Sequence, residues 1–175
     1  METNASYGPA RGQTKTLVFG IGAARSGTTW LYQYLKNHDQ CFFRFPKELH
    51  YFDFASDNAD NWRTEALMKK VRIIKKRSRI SDQTVRAAAQ LELNDLYDWL
   101  PVFQEKPPNL GNYLTFLTSG LTNERVFGDI TPAYANLSEK DFSKMNRLHE
   151  DTRFIYILRN PIDRLSSHVR LVAKR

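Results

Sequence analysis

The stretch Val18-Phe19-Gly20-Ile21-Gly22-Ala23-Ala24-Arg25-Ser26-Gly27-Thr28-Thr29-Trp30-Leu31 decides the fold of this chain. It begins as an apolar run, passes through a loop bounded by glycines, and continues in a pattern typical of a helix. A strand that turns directly into a helix brings loop amides and the helix N-terminus to one point. Such a point attracts phosphate. We therefore expect a phosphate-binding loop between Gly22 and Gly27.

The loop matches the spacing of the nucleotide-binding motif G-x-x-x-x-G-K-[ST], except that Thr28 takes the place of the lysine. In nucleoside-triphosphate enzymes that lysine contacts the β- and γ-phosphates. Its absence indicates a nucleotide without a γ-phosphate. Arg25 supplies a cation earlier in the loop, and we expect it to lie against a bound phosphate.

Length and composition limit the domain count and the kinds of ligand that this chain can have. A chain of 175 residues allows one domain with a sizeable core, and its net charge of +7 suits an anionic ligand. The single cysteine, Cys41, excludes an intrachain disulfide framework. We see no membrane span and no signal-peptide core. We interpret residues 1–15 as a disordered polar tail and residues 16–175 as the domain of a cytoplasmic protein.

Seven cations lie within residues 69–79, whose sequence is KKVRIIKKRSR. This run has two interpretations. It is typical of the solvated face of a helix. It also suits a platform for an anionic polymer, either a sulfated glycan or nucleic acid.

The order of elements indicates an α/β fold with a parallel sheet flanked by helices in three layers. Strands are predicted at residues 16–21, 41–43, 125–130 and 152–158, the last of them buried. Helices are predicted at residues 28–37, around 85–100 and closed by Pro101, and from Pro161 after an Asn160 cap. The first helix presents Trp30, Leu31, Tyr34 and Leu35 on one face.

Ligands of such sheets bind where the strands end, so the glycine-bounded loop and Arg159 are expected at one edge. The last helix has no stop signal, and we interpret the chain as the front part of a larger domain.

Three segments resemble, in order, the motifs of one family, the sulfotransferases. Gly22–Leu31 (GAARSGTTWL) looks like the 5′-phosphosulfate loop. Pro46–Asp53 (PKELHYFD) resembles the segment with the catalytic glutamate in glycan-type members, and Ile157–Ser167 (ILRNPIDRLSS) the segment that binds the 3′-phosphate. Gly128–Tyr134 (GDITPAY) also has a counterpart. The resemblance implies a P-loop-like sulfotransferase fold and 3′-phosphoadenosine-5′-phosphosulfate as the donor, with no metal.

The resemblance also assigns the donor ligands. It implies that the 5′-phosphate binds Arg25, Ser26, Gly27, Thr28 and Thr29, and that the 3′-phosphate binds Arg159 and Ser167. Trp30 has two interpretations: it stacks on the adenine, or it is a core residue of the first helix. Arg159 likewise either binds phosphate at the end of a buried strand or forms a salt bridge with Asp163 or Asp129.

Transfer to a hydroxyl or amine requires a base. Glu48 is the candidate, and partial burial among aromatic residues is expected to raise its pKa. The alternative is a surface glutamate beside Lys47. His50 is the reserve base, because the small-molecule branch uses a histidine directly after a lysine; here Lys47-Glu48-Leu49-His50 is one residue longer.

Two departures from the family pattern stand out. Ile130 occupies a position that is a lysine near the transferred group in several glycan sulfotransferases, so a different acceptor chemistry is expected. The family's later glycine-rich loop, which closes over the 3′-phosphate and adenine, is missing from these residues. If the 175 residues are the entire protein, an open wall in the donor site is expected.

Two other functions compete with sulfonate transfer. One is a P-loop kinase with Asp129 as its magnesium-binding acid, which the missing lysine disfavours. The other is a nucleotide- or polyanion-binding module without turnover. A glycan or a small alcohol is the expected acceptor, with a phenol or a peptide tyrosine also open. Nucleic acid is not expected as a partner. The oligomeric state is not indicated.

Overall fold

The structure is a computed structural model that describes residues 14–53 and 57–173, the side chains of residues 57–61 excepted. Four parallel strands form one sheet in the order β2-β3-β1-β4. They are β1 (Thr16–Gly22), β2 (Cys41–Phe42), β3 (Val126–Ile130) and β4 (Thr152–Tyr156). Because parallel neighbours end at the same edge, the loops after β1, β3 and β4 meet there. The predicted α/β class and parallel sheet are confirmed.

Helices connect the strands and cover the sheet. They are α1 (Thr28–Lys36), α2 (Asp57–Arg77), α3 (Gln83–Gln104), α4 (Leu110–Thr118), α5 (Glu139–Asn146) and α6 (Pro161–Val172), with a 3₁₀ helix at Pro132–Asn136. The Asp82 side chain caps α3 by accepting from the Val85 amide. As predicted, Asn160 caps α6, its side chain accepting from the Ile162 amide at 2.9 Å.

The two faces of the sheet bury separate cores, because successive side chains of a strand point to opposite faces. On one face, Leu17, Phe19 and Phe127 join the larger core with α2, α3 and α4. On the other face, Val18 and Ile130 pack with Tyr32 of α1. Ile130 is therefore a core residue, and an added Cβ on Gly20 would lie 2.6 Å from its Cδ1.

The prediction of a buried strand at residues 152–158 is wrong. The strand ends at Tyr156 and lies at the sheet edge, where most of its residues are exposed. Helix α6, which follows it, buries none of its residues; the Leu158 side chain before it is 85% exposed and Ile162 is 75% exposed. The apolar spacing of these segments is present in the sequence, but the sheet order places β4 at the edge, paired with β1, and no described residue of α6 is buried.

Two helix predictions also need correction. Helix α1 buries Thr28 and Tyr32, whereas Trp30 and Tyr34 of the predicted apolar face are exposed. Trp30 is therefore not a core residue. Helix α3 continues past Pro101 to Gln104, since the buried Phe103 holds its last turn against the core. The sequence also predicts that the aromatic residues after Glu48 belong to the core. Tyr51 is buried and Phe52 packs against the core, while Phe54 lies outside the described residues.

The basic run lies on the second half of α2 and continues to Arg79. Val71 and Ile74 face the core, and Lys69, Arg72, Lys75 and Lys76 are exposed. The run thus forms the solvated face of a helix. Of the polar tail, residues 1–13 lie outside the described residues, and Lys15 donates hydrogen bonds to the carbonyls of Thr122 and Glu124.

Candidate active site

The loop between β1 and α1 presents unpaired polar groups at the sheet edge. Gly27 is the N-cap of α1 with φ of 94°, a left-handed conformation that glycine adopts without strain, and no side chain caps the helix. The first-turn amides are therefore left without a side-chain acceptor. The Ser26 hydroxyl is buried without a hydrogen-bond partner among the described residues. An anion at this point would satisfy both sets of donors.

Three non-glycine residues in the described part of the chain have positive φ, and all three are predicted site residues. They are Arg25 at 67°, Glu48 at 66° and His50 at 59°. Residues other than glycine avoid this region unless the surrounding structure enforces it, and such positions cluster at functional sites.

Helix α6 contributes the far side of the site. Arg25 donates from Nε and Nη2 to the Ser167 hydroxyl at 3.1 and 2.9 Å, and Arg159 donates from Nη1 to the Arg25 carbonyl at 3.0 Å. The expected burial of Arg159 is wrong, since it lies exposed after an edge strand. Its alternative salt bridge is also wrong: among the described residues, Arg159 pairs with neither Asp163 nor Asp129. The remaining N–H donors of its guanidinium are therefore available to bind an anion.

The segment after β2 carries a chain of charged contacts. The Lys47 ammonium lies against Oε1 of Glu48, and the other oxygen of Glu48 is 3.7 Å from Nε2 of His50. Nδ1 of His50 lies 2.8 Å from an oxygen of Asp53, which also accepts from Arg63 at 2.9 Å. Cation and carboxylate alternate along this chain, so each carboxylate has a cation on either side.

These contacts move the pKa values of the two candidate bases in opposite directions. Burial acts to raise the pKa of Glu48, but its contacts with His50 and Lys47 outweigh burial and lower it to about 2. The expected upward shift is therefore wrong. Burial acts to lower the pKa of His50, but Asp53 and Glu48 raise it to about 9. At neutral pH Glu48 is a carboxylate and His50 keeps its proton, so Glu48 is the group able to accept one.

A buried polar cluster holds this segment in place. Asp129 at the end of β3 is 2% exposed, and its carboxylate accepts from the hydroxyls of Thr131, Tyr134 and Tyr113 at 2.7, 2.7 and 3.0 Å. The Tyr134 oxygen in turn accepts from the Tyr51 amide at 2.9 Å, and Thr131 Oγ1 lies 3.5 Å from the His50 amide. Asp129 thus orients two hydroxyls onto the backbone that carries the candidate bases.

These parts enclose a cavity of about 570 Å³ at the sheet edge, which we call the donor cavity. It brings together most of the predicted site residues: Arg25, Gly27, Thr28, Thr29, Glu48, Arg159 and Ser167. His50 is not among the lining residues, and its Nε2 lies 3.7 Å from an oxygen of Glu48. Trp30 is not among the lining residues; its ring is 69% exposed and stacks on Tyr34 at 5.4 Å.

Lys47 is the charged lining residue that sequence reasoning missed, and Asn136 is a polar one. Lys47 entered that reasoning only as the neighbour that makes Glu48 look like a surface residue. Its place beside a candidate base, directly after Pro46, was the available signal.

A family model described as the sulfotransferase family matches residues 18–175. The chain belongs to the sulfotransferase family. No match was found among curated proteins or among solved structures. The match begins within β1 and runs through all of the segments that form the donor cavity.

As a member of this family the chain is a sulfotransferase, an enzyme that transfers sulfonate groups. In the described part of the chain, no group of three or more metal-ligating side chains lies together. None of the described helices is long and apolar enough to cross a membrane.

Proposed function

We propose that this sulfotransferase uses 3′-phosphoadenosine-5′-phosphosulfate as its donor and transfers the sulfonate to a hydroxyl of an acceptor. The observation that carries the proposal is the donor cavity, which unites the β1–α1 loop, Arg159 with Ser167, and Glu48. The uncapped start of α1 and the orphan Ser26 hydroxyl suit the 5′-phosphate. Arg159 with Ser167 suits the 3′-phosphate.

The transfer is a single in-line displacement. The acceptor oxygen forms a bond to sulfur while the bond between sulfur and the oxygen of the 5′-phosphate breaks. The electron pair of that bond leaves with the phosphate as 3′-phosphoadenosine-5′-phosphate (PAP). The acceptor proton passes to the Glu48 carboxylate. Lys47 and the loop amides stabilise the charge that develops on the departing phosphate.

Lys47 links donor binding to base strength. Its ammonium contacts Glu48 and lines the donor cavity. A donor phosphate competes with Glu48 for that ammonium, and each step of Lys47 toward the phosphate removes one of the contacts that lower the pKa of Glu48. The carboxylate becomes a stronger base when the donor is in place.

The structure argues against the kinase alternative at Asp129. A magnesium-binding acid must present oxygens to the ligand cavity. The Asp129 carboxylate is buried and already accepts three hydroxyl hydrogen bonds. It faces the larger core through Tyr113 and Tyr134.

Calorimetry tests the donor assignment. We expect PAP to bind more tightly than ATP with Mg²⁺, and we expect sulfonate transfer from the phosphosulfate donor in the presence of a metal chelator. Equal or tighter binding of ATP with Mg²⁺ would contradict the proposal. Tight PAP binding without transfer to any of a panel of sugars, alcohols and phenols would instead favour a binding module.

A further inference from the structure

A second cavity of about 370 Å³ is also lined by Glu48. It is formed by the segment after β2, one face of α2 and the end of α3. Its chemically distinctive lining residues are Glu48, His50, Trp62, Arg63, Lys70 and Phe103. Glu48 lines both cavities, so a molecule in the second cavity can reach the carboxyl group that also faces the donor cavity. A volume of this size suits a small molecule of one or two rings.

The second cavity offers an aromatic surface. The Trp62 side chain is 56% exposed, although it lines the cavity, so part of its ring is open to a ligand. The Arg63 guanidinium lies 5.3 Å from the centre of the Trp62 ring, which restrains the ring on one side. A flat sugar or aromatic ring gains by stacking on such a surface.

The second cavity also holds a cation with no described carboxylate in salt-bridge contact. Arg63 is paired with Asp53, and Lys47 with Glu48. Lys70 forms no ion pair with any described carboxylate, and its ammonium lies 5.9 Å from the centre of the Phe45 ring. Burial lowers its pKa, and the more distant charge of Glu48 acts in the opposite direction. A half-buried ammonium in this position is costly unless an anion meets it.

We propose that the second cavity is the acceptor site and that it takes a small ring-bearing acceptor with a carboxylate or sulfate group. The ring lies on Trp62, the anionic group on Lys70, and the reacting hydroxyl at Glu48. This inference rests on the proposed transfer from the donor cavity. It narrows the acceptor from hydroxyl compounds in general to anionic ones.

The test compares charged and neutral probes of matched shape. The pairs are methyl glucuronide with methyl glucoside, and 4-hydroxyphenylacetate with 4-hydroxyphenylacetamide. Binding is measured by calorimetry with PAP present and again without nucleotide, and KM is measured with the phosphosulfate donor. The two pairs show whether a sugar or an aromatic ring is preferred.

We expect the charged member of at least one pair to bind more tightly than its neutral partner. Lys70→Met should remove that preference by weakening the charged probe about tenfold to a hundredfold, the range of a charge-assisted contact. The neutral probe and PAP should be unaffected. Lys69→Met, an exposed neighbour on the same helix, is the matched control. Trp62→Phe should remove any quenching of tryptophan fluorescence by the charged probe.

The two proposals fail in different ways. Loss of PAP binding in the wild-type chain would overturn the donor proposal, while binding of the charged probes without nucleotide would still test the second cavity. Equal affinities within both pairs, no binding of either charged probe, or an equal loss for both members in Lys70→Met would overturn the acceptor proposal.

Discussion

The two walls of the donor cavity are built from opposite parts of the fold. Glu48 and His50 lie on a segment whose backbone is hydrogen-bonded to the buried Asp129 cluster, and we call this the core wall. Arg159 and Ser167 stand after an edge strand and on a helix that buries no residue, and we call this the edge wall. The two walls differ in how their charged side chains are paired. The core wall pairs its ions with one another, and the edge wall leaves guanidinium donors open.

This difference separates chemistry from binding. Positions on the core wall are fixed by the same contacts that stabilise the fold, which suits a base that must be held at a defined point. Positions on the edge wall are fixed by a few exposed hydrogen bonds, so a ligand can supply much of their order. Substitutions on the two walls should therefore change different measured quantities.

The largest effect is expected from Glu48→Gln. Glutamine keeps the size of the side chain and cannot accept the proton, so turnover should fall by about 10²–10⁴-fold. PAP affinity, measured by calorimetry, should not fall, because the loop and the edge wall hold the phosphates and Lys47 is released from Glu48 toward them. If Glu48→Gln keeps wild-type turnover while His50→Ala abolishes it, the base is His50.

Asp129→Ala tests how firmly the core wall depends on the buried cluster. Three buried hydroxyls lose their acceptor, at about 1 kcal/mol or more each, so the free energy of unfolding should fall by roughly 3 kcal/mol or more. Urea denaturation measures the loss. Arg159→Ala, on the exposed edge wall, should leave that free energy within about 0.5 kcal/mol of the wild type. Similar losses in both variants would remove the distinction between the walls.

The contrast between the walls also shows what could be predicted from the sequence. Local patterns identified β1, the loop that joins it to α1, the Asn160 cap and the α/β order, because each depends on residues adjacent in the chain. The burial of β4 depends on which strands flank it, and the sheet order placed it at the edge. The pKa of Glu48 depends on Lys47 and on where His50 points, and local sequence does not determine that direction.

Arg159→Ala should weaken PAP by about tenfold to over a hundredfold while changing the affinity for 5′-AMP much less. The reason is that a charge-assisted contact to the 3′-phosphate is worth roughly 1.5–3 kcal/mol. Calorimetry with both nucleotides gives the comparison. Arg170→Ala is the matched control, since Arg170 is exposed on α6, the helix that follows Arg159, and donates to the Ser166 carbonyl. Equal losses for PAP and 5′-AMP would place Arg159 on the other phosphate or in folding.

The core wall should also make stability depend on pH through His50. Its pKa is raised from 6.5 to about 9 by Asp53 and Glu48 despite burial, so its protonated form stabilises the fold. That contribution is fully present below about pH 6.5 and is lost as the pH rises through about 9. Urea denaturation should show a decrease on the order of 1–2 kcal/mol across this window. His50→Gln should flatten it, and His168→Gln, exposed on α6, should not.

The smallest effect, and the sharpest test of the edge wall, is expected from Ser167→Ala. The Ser167 hydroxyl accepts two hydrogen bonds from Arg25 and lines the donor cavity, so its loss frees Arg25 as well as removing one ligand contact. A net contribution of about 0.5–1.5 kcal/mol per hydrogen bond predicts PAP binding roughly two- to tenfold weaker. Ser166→Ala is the adjacent control on the same helix. Because neither serine is part of the buried cores, both variants should unfold at the wild-type urea midpoint. A lower midpoint in Ser167→Ala would show that the Arg25–Ser167 contact supports the fold, and the edge wall would then resemble the core wall.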